Sequence, residues 1–155
     1  MTDERIHLVV IDDEEEILLT IKDNLELLGY RVDVFTRAIK ALDFILSDTS
    51  VQMIITDIRM PEMDGLQLIR SIRDTNSYIP IIIVTGYGDM EITVNALRAG
   101  ATDYFSKPFD FREIARSLKR ILNQQFKKVG YFETGKFINK ATLELHFPAP
   151  LVDVS

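Results

Sequence analysis

The chain of 155 residues contains no cysteine, which excludes disulfides and thiolate metal sites and suits a reducing cytoplasm. It has only two histidines, His7 and His146, far apart and without partners at ligand spacing, so both read as structural. No apolar run approaches the ~20 residues that a membrane span needs. The opening Met-Thr-Asp-Glu-Arg is too charged to begin a signal peptide. The protein is therefore expected in the cytoplasm and away from membranes. There is no basic stripe either: residues 1–122 carry a net charge of −7 and residues 123–155 a net of +1. Nothing is concentrated to neutralise phosphates, which argues against direct nucleic-acid binding by this chain.

What is present is an ordinary globular composition, 46% apolar and 27% charged, with length for one domain and a little over. The pattern alternates short apolar strands with amphipathic helices. Residues 6–11 form an apolar strand ending at Asp12-Asp13. An acidic helix start follows at Glu14, Glu15 and Glu16, with Ile17, Ile21, Leu25 and Leu28 at helical spacing and Gly29 as the stop. The acids suit the helix dipole, and Glu15 and Glu16 read as a solvated face.

Strands are next expected at residues 31–35 and 51–56, with a helix over 38–46 that turns Leu42 and Ile45 inward. A helix over 64–73 carries Leu66, Ile69 and Ile72. Residues 81–84, Ile-Ile-Ile-Val, are uniformly apolar and imply a strand buried on both faces. A helix over 90–99 stops at Gly100, a short strand spans 102–105, and a last helix begins at Asp110 or Phe111 with Ile114, Leu118, Ile121 and Leu122 on one face. Five strands alternating with five helices predict a doubly wound parallel α/β sheet.

This order places Asp12, Asp13, Asp57, Thr85 and Lys107 together, because each follows a strand and strand ends share one edge of the sheet. Alone, each has a plainer role as a turn former, cap or solvated charge. Asp64, Asp89 and Asp110 keep that role, as caps before helices. Three neighbouring carboxylates repel strongly unless a cation neutralises them. An all-oxygen donor set selects Mg²⁺ or Mn²⁺. A carboxylate attacks phosphorus when a cation and a lysine draw charge from the phosphoryl oxygens. Asp57 is then the acceptor, with Lys107 and the Thr85 hydroxyl as donors to the remaining oxygens.

Four stretches carry a family resemblance: Val-Val-Ile-Asp12-Asp13-Glu-Glu, Thr-Asp57-Ile-Arg-Met-Pro61-Glu-Met-Asp64-Gly65, Ile-Val-Thr85-Gly-Tyr-Gly and Tyr104-Phe-Ser-Lys107-Pro108-Phe. Across residues 5–122 the chain resembles a response-regulator receiver domain. The resemblance implies strand order 2-1-3-4-5 and a cis Lys107-Pro108 peptide. It implies that Asp57 accepts a phosphoryl group from a sensor histidine kinase or phosphotransfer protein, catalysing only its own phosphorylation and slow dephosphorylation. Asp13, Asp57 and the Arg59 main-chain carbonyl would hold Mg²⁺ directly, Asp12 acting mainly through water, while the loop 61–65 closes over the site. Thr85 and Tyr104 would form a switch. The output surface would lie on residues 90–99, 102–105 and 110–122, for a downstream protein or domain. Arg59 and Tyr87 would overhang the phosphoryl group and lengthen its life.

A different class shares part of the pattern. Haloacid-dehalogenase-type phosphatases use an Asp nucleophile after strand one, a Thr after an apolar strand and a Lys with Mg²⁺, a pattern that Ile11-Asp12 with Thr85 imitates. Those enzymes want Asp-x-Asp, whereas this chain reads Asp12-Asp13-Glu14, and the later acidic pair is missing. A third reading is a scaffold that binds partners without phosphorylation, against which the intact acidic set argues. Residues 123–155 lie outside the resemblance. The last helix is expected to reach about Lys128, with Gly130 ending it and a strand-like pattern beyond, from Tyr131-Phe132 to Phe147, where His146 lies on the polar side of the alternation and Pro148-Ala-Pro150 closes it. The tail would be a hairpin on the receiver, the start of a truncated output domain or a strand for self-association. A homodimer would use it or residues 89–122.

Overall fold

The computed structural model describes residues 3–86 and 88–132. Residues 7–109 form one compact unit, and α5 belongs to a second. The elements run β1 (His7–Ile11), α1 (Glu15–Leu27), β2 (Arg31–Phe35), α2 (Ala38–Ser47), β3 (Val51–Asp57), α3 (Gly65–Arg73), β4 (Ile81–Thr85), α4 (Met90–Ala99), β5 (Asp103–Ser106) and α5 (Phe111–Phe132). All strands are parallel, in the order β2-β1-β3-β4-β5. β2 and α4 have the bounds the periodicity predicts, and the other expected strands differ by a residue or two.

β1 and β4 are buried along their whole length, as expected for inner strands covered on both faces. The core against them includes Val9, Ile54, Leu68, Ile69, Ile72 and Ile83, all wholly removed from water. Burying one such aliphatic side chain contributes about 1.5–3 kcal/mol. Leu42, Ile45 and Leu66, expected to face inward, pack against this core only partly buried.

Two expectations are corrected here. In α1 the buried stripe is Leu18, Ile21 and Leu25, while Leu28 is 46% exposed. Helical spacing permits either Ile17 or Leu18 as the stripe's start, and Leu28 falls at the C-cap, beyond the last helical residue. Gly130 does not end α5, which continues through Tyr131 and Phe132. An interior glycine costs roughly 1 kcal/mol relative to alanine but leaves the helical hydrogen bond intact. The strand-like pattern after Phe132 lies outside the described residues, as does His146.

The loops at the C-terminal sheet edge are closely tied. Asp64 caps α3, its carboxylate accepting from the Gln67 N–H while Gln67 returns a bond to the Asp64 N–H. Gly65 donates to the Ile58 carbonyl at 2.8 Å, a close approach that a side chain would obstruct. At the opposite edge His7 is buried, with one ring nitrogen 2.8 Å from Ser50 Oγ and the other 2.5 Å from Asp33 Oδ2. Those contacts give it the structural role expected. The Tyr30 phenol, likewise buried, has its pKa pushed up to about 12 by loss of solvent.

Candidate functional site

Parallel strands that start from one edge must end at the other, so the side chains at their ends meet there. Asp57 is the last residue of β3 and pairs in register with Val84, Thr85 is the last of β4 opposite Ser106, and Asp12 directly follows β1. Lys107 follows β5, held by its N–H to the Thr85 carbonyl at 2.7 Å, and its peptide bond to Pro108 is cis.

Ligand oxygens of Asp12, Asp13 and Asp57 all lie within 4.8 Å of one another. Asp12 and Asp57 are buried and Asp13 is exposed. The Lys107 ammonium donates to Asp57 Oδ2 at 3.1 Å and to Asp12 Oδ2 at 3.3 Å. Asp12 also accepts from the Glu14 N–H at 2.8 Å, so its second oxygen closes a turn just before α1.

The charges do not balance. Two carboxylates about 5 Å apart repel by about 3 kcal/mol at an effective dielectric of about 20, and one lysine faces three of them. Burial, then the charge of Asp12, raises the Asp57 pKa above its ordinary value, against the pull of Lys107 and the Arg59 N–H. Burial works to lower Lys107, but the charges and hydrogen bonds of Asp57 and Asp12 outweigh it and its pKa is raised. The set fits a hard divalent cation, because it offers only oxygen and carries surplus negative charge.

These energetics lead to a sign that can be measured. Since the folded-state pKa of Asp57 lies above the unfolded one, ionising it costs stability as pH rises through that window. Asp57→Asn is therefore expected to raise the metal-free Tm at pH 7, with the gain fading towards pH ~4, where the acid is itself neutral. Mg²⁺ should stabilise the wild type and leave the variant nearly unaffected. Thermal melts across pH, with and without Mg²⁺, measure both effects.

The other expected residues are distributed unevenly. Thr85 is buried, 4% exposed, at the site edge, whereas Tyr104 on the edge strand β5 is 37% exposed. Tyr87 lies outside the described residues. The Arg59 side chain is ion-paired with Asp89. That pairing corrects the expectation for Asp89, which stands at the N-cap position of α4 but makes no side-chain cap. Its other oxygen accepts from the Gly86 N–H at 3.3 Å. A charged partner outcompetes a neutral amide for a mostly buried carboxylate. Asp110 does act as a cap, accepting the Arg112 N–H at 2.8 Å. Sequence reading also missed Arg37, whose guanidinium grips Glu62 with two bonds of 2.8 Å; a pair separated by 25 residues leaves no local signature.

A five-stranded parallel sheet ordered β2-β1-β3-β4-β5, with an acidic cluster and a lysine at its C-terminal edge, defines a doubly wound α/β module. Residues 8–119 match the family described as the response regulator receiver domain, and the chain belongs to that family. It is 37% identical over 120 residues to the transcriptional regulatory protein FixJ of Rhizobium meliloti, covering 77% of this chain and 57% of that protein. It is 39% identical over 111 residues to the C4-dicarboxylate transport transcriptional regulatory protein DctD of the same organism, covering 72% of this chain and 24% of that protein. The chain thus spans little more than half of the one and a quarter of the other.

Among solved structures, a CheY-like response regulator receiver domain protein from Methanospirillum hungatei superposes with a TM-score of 0.76 at 31% identity, covering 80% of this chain and 98% of that one. The FixJ-N structure superposes with a TM-score of 0.70 at 33% identity, covering 77% and 94%. Residues 8–119 are thus a receiver domain of the two-component response-regulator family, whose members are generally regulators rather than catalysts. Among the described residues no helix is long and apolar enough to cross a membrane.

Proposed function

We propose that Asp57 accepts a phosphoryl group from a phosphohistidine on a sensor kinase or phosphotransfer protein, in a reaction that requires Mg²⁺, with Mn²⁺ as a substitute. The observation that carries this is the Lys107 ammonium bridging Asp57 and Asp12 inside a cluster of three carboxylates. Asp13, Asp57 and the Arg59 carbonyl would hold the cation, with Asp12 acting through water. When bound, it draws negative charge from the phosphoryl oxygens and offsets the repulsion among the acids.

An Asp57 carboxylate oxygen forms the bond to phosphorus as the bond to the donor nitrogen breaks, and the leaving imidazole keeps its electron pair. Lys107, already hydrogen-bonded to Asp57, turns to a phosphoryl oxygen, exchanging one anionic partner for another. The Thr85 hydroxyl donates to a second oxygen. Its movement clears space beside β5, into which Tyr104 turns from its present half-exposed position. The surface presented by α4 and β5 thereby changes, and residues 110–122 are assigned to the output by the same reading. Arg59 and Tyr87 slow attack by water on the acyl phosphate.

Residues 5–122 act as the receiver and 123–155 as an extension. In the whole protein, the output is a downstream domain or partner, or a homodimer formed through residues 89–122 or the tail. The work is cytoplasmic and involves no direct contact with nucleic acid or membrane by this chain.

Acceptance is tested by intact mass after acetyl phosphate treatment: one phosphoryl group is gained with Mg²⁺ and none without it. The switch is tested by Thr85→Ala. This variant should still become phosphorylated, but the amide NMR shifts of α4 and β5 on phosphorylation should shrink to less than about half. Undiminished shifts would remove Thr85 from the switch.

A further inference from the structure

Glu62 stands in the loop between Asp57 and α3 with φ 69, a left-handed conformation that residues bearing a Cβ rarely adopt. Among the described residues the other such case is Asn76, a type that tolerates it through local hydrogen bonding. Glu62 has its help from outside the loop. Arg37, at the N-cap of α2 just beyond β2, donates from Nε to Oε1 and from Nη2 to Oε2, both at 2.8 Å. This two-pronged arrangement fixes orientation as well as distance. It fastens the loop after β3 to the loop after β2, both at the sheet edge where the carboxylates gather. On either side of Glu62 the chain is pinned by backbone bonds, Met63 N–H to the Pro61 carbonyl and Gly65 N–H to the Ile58 carbonyl, each 2.8 Å.

We infer that Arg37 is a positioning residue for the divalent cation: by gripping Glu62 it keeps the loop carrying the Arg59 carbonyl in its cation-ready form. This rests on the reading of the acidic cluster as a Mg²⁺ site. Glu62 does not belong to the clustered carboxylates and Arg37 is a cation, so the pair acts only through the backbone between Glu62 and Arg59. The sign of the effect separates positioning from simple electrostatics. Arg37 is a cation on the loop neighbouring the site, so as a charge it opposes Mg²⁺ and its removal would tighten binding. As a clamp it favours Mg²⁺, and its removal loosens binding. An exposed pair is worth little by itself, which limits the loss to about fivefold.

The test is a Mg²⁺ titration of the intact chain followed by amide NMR, for wild type, Arg37→Ala and the exchange Arg37→Glu with Glu62→Arg. The expected Kd rises about three- to fivefold in Arg37→Ala and returns to within about twofold of wild type in the exchange, which restores the pair with its charges reversed. An unchanged or tighter Kd in Arg37→Ala overturns the inference, as does an exchange variant no better than Arg37→Ala. A wild type that binds no Mg²⁺ overturns the reading of the site as well, and so is told apart from failure of the clamp alone.

Discussion

Lys107→Ala is expected to slow phosphorylation of Asp57 from acetyl phosphate by about 10²–10³-fold at saturating Mg²⁺, the usual loss when one preorganised donor to a developing oxyanion is removed. The ammonium already lies 3.1 Å from one Asp57 oxygen and 3.3 Å from an Asp12 oxygen, so it needs little reorganisation to follow charge onto the phosphoryl group. Its loss also leaves two buried carboxylates without their cation, which should lower the metal-free Tm and make the variant more dependent on Mg²⁺ than the wild type. Lys107→Arg keeps the charge but not the compact donor, and should fall between the two. The check is the initial rate of acyl phosphate formation, and a rate within twofold of wild type in Lys107→Ala would remove Lys107 from the chemistry.

Gly65→Ala should be the most disruptive single methyl in the loop. A Cβ built on Gly65 would lie 2.9 Å from the Asp57 carbonyl oxygen and 2.9 Å from the Ile58 Cα, distances that real Cβ atoms essentially never show. Both obstacles are backbone, so they cannot turn aside as a flexible side chain would. Either α3 lifts from the end of β3, breaking the 2.8 Å bond from the Gly65 N–H to the Ile58 carbonyl, or the end of β3 moves and takes Asp57 with it. Overpacking of this kind costs about 1–3 kcal/mol, a Tm loss of roughly 2–12 °C. Because the displaced backbone is that of Asp57, the proposed phosphoacceptor, and of the next residue, Ile58, Mg²⁺ affinity and phosphorylation rate should fall together with stability. Thermal melts and phosphorylation rates on the same preparation would show this; an unshifted Tm would contradict it.

Both predictions concern residues whose importance is visible in the sequence, for different reasons. Lys107 stands out because apolar runs place it after the last strand, and a parallel sheet brings all strand ends together. Gly65 belongs to a Pro/Gly-punctuated loop, yet only the packing of that loop on β3 reveals that its missing Cβ, rather than an unusual φ, is what the loop needs. The same division holds along the chain. The Ile81–Thr85 strand and the α4 helix are legible because a single periodicity governs each. The stripe on α1 is offset from the expected one because Ile17 and Leu18 are adjacent apolar residues and only packing chooses between them.

Ion pairs between loops outside the acidic cluster left no signal in the sequence. Asp89 looks like a helix cap by position, and what redirects it is Arg59, 30 residues away. Arg37 and Glu62 are unremarkable in sequence and meet only because β2 and β3 both flank β1. Gly130 shows the opposite error, a local signal taken as decisive where the helix continues past it.

The claim that Asp57 is the phosphoacceptor is tested most directly by peptide mapping after acetyl phosphate and Mg²⁺, with the acyl phosphate reduced in place to mark its position, on wild type and Asp57→Asn. The expected result is a mark on Asp57 alone, sensitive to hydroxylamine before reduction and missing in the variant. A mark on Asp12, or a phosphoryl group retained in Asp57→Asn, would contradict it and turn the site towards the phosphatase chemistry that Asp12 and Thr85 imitate.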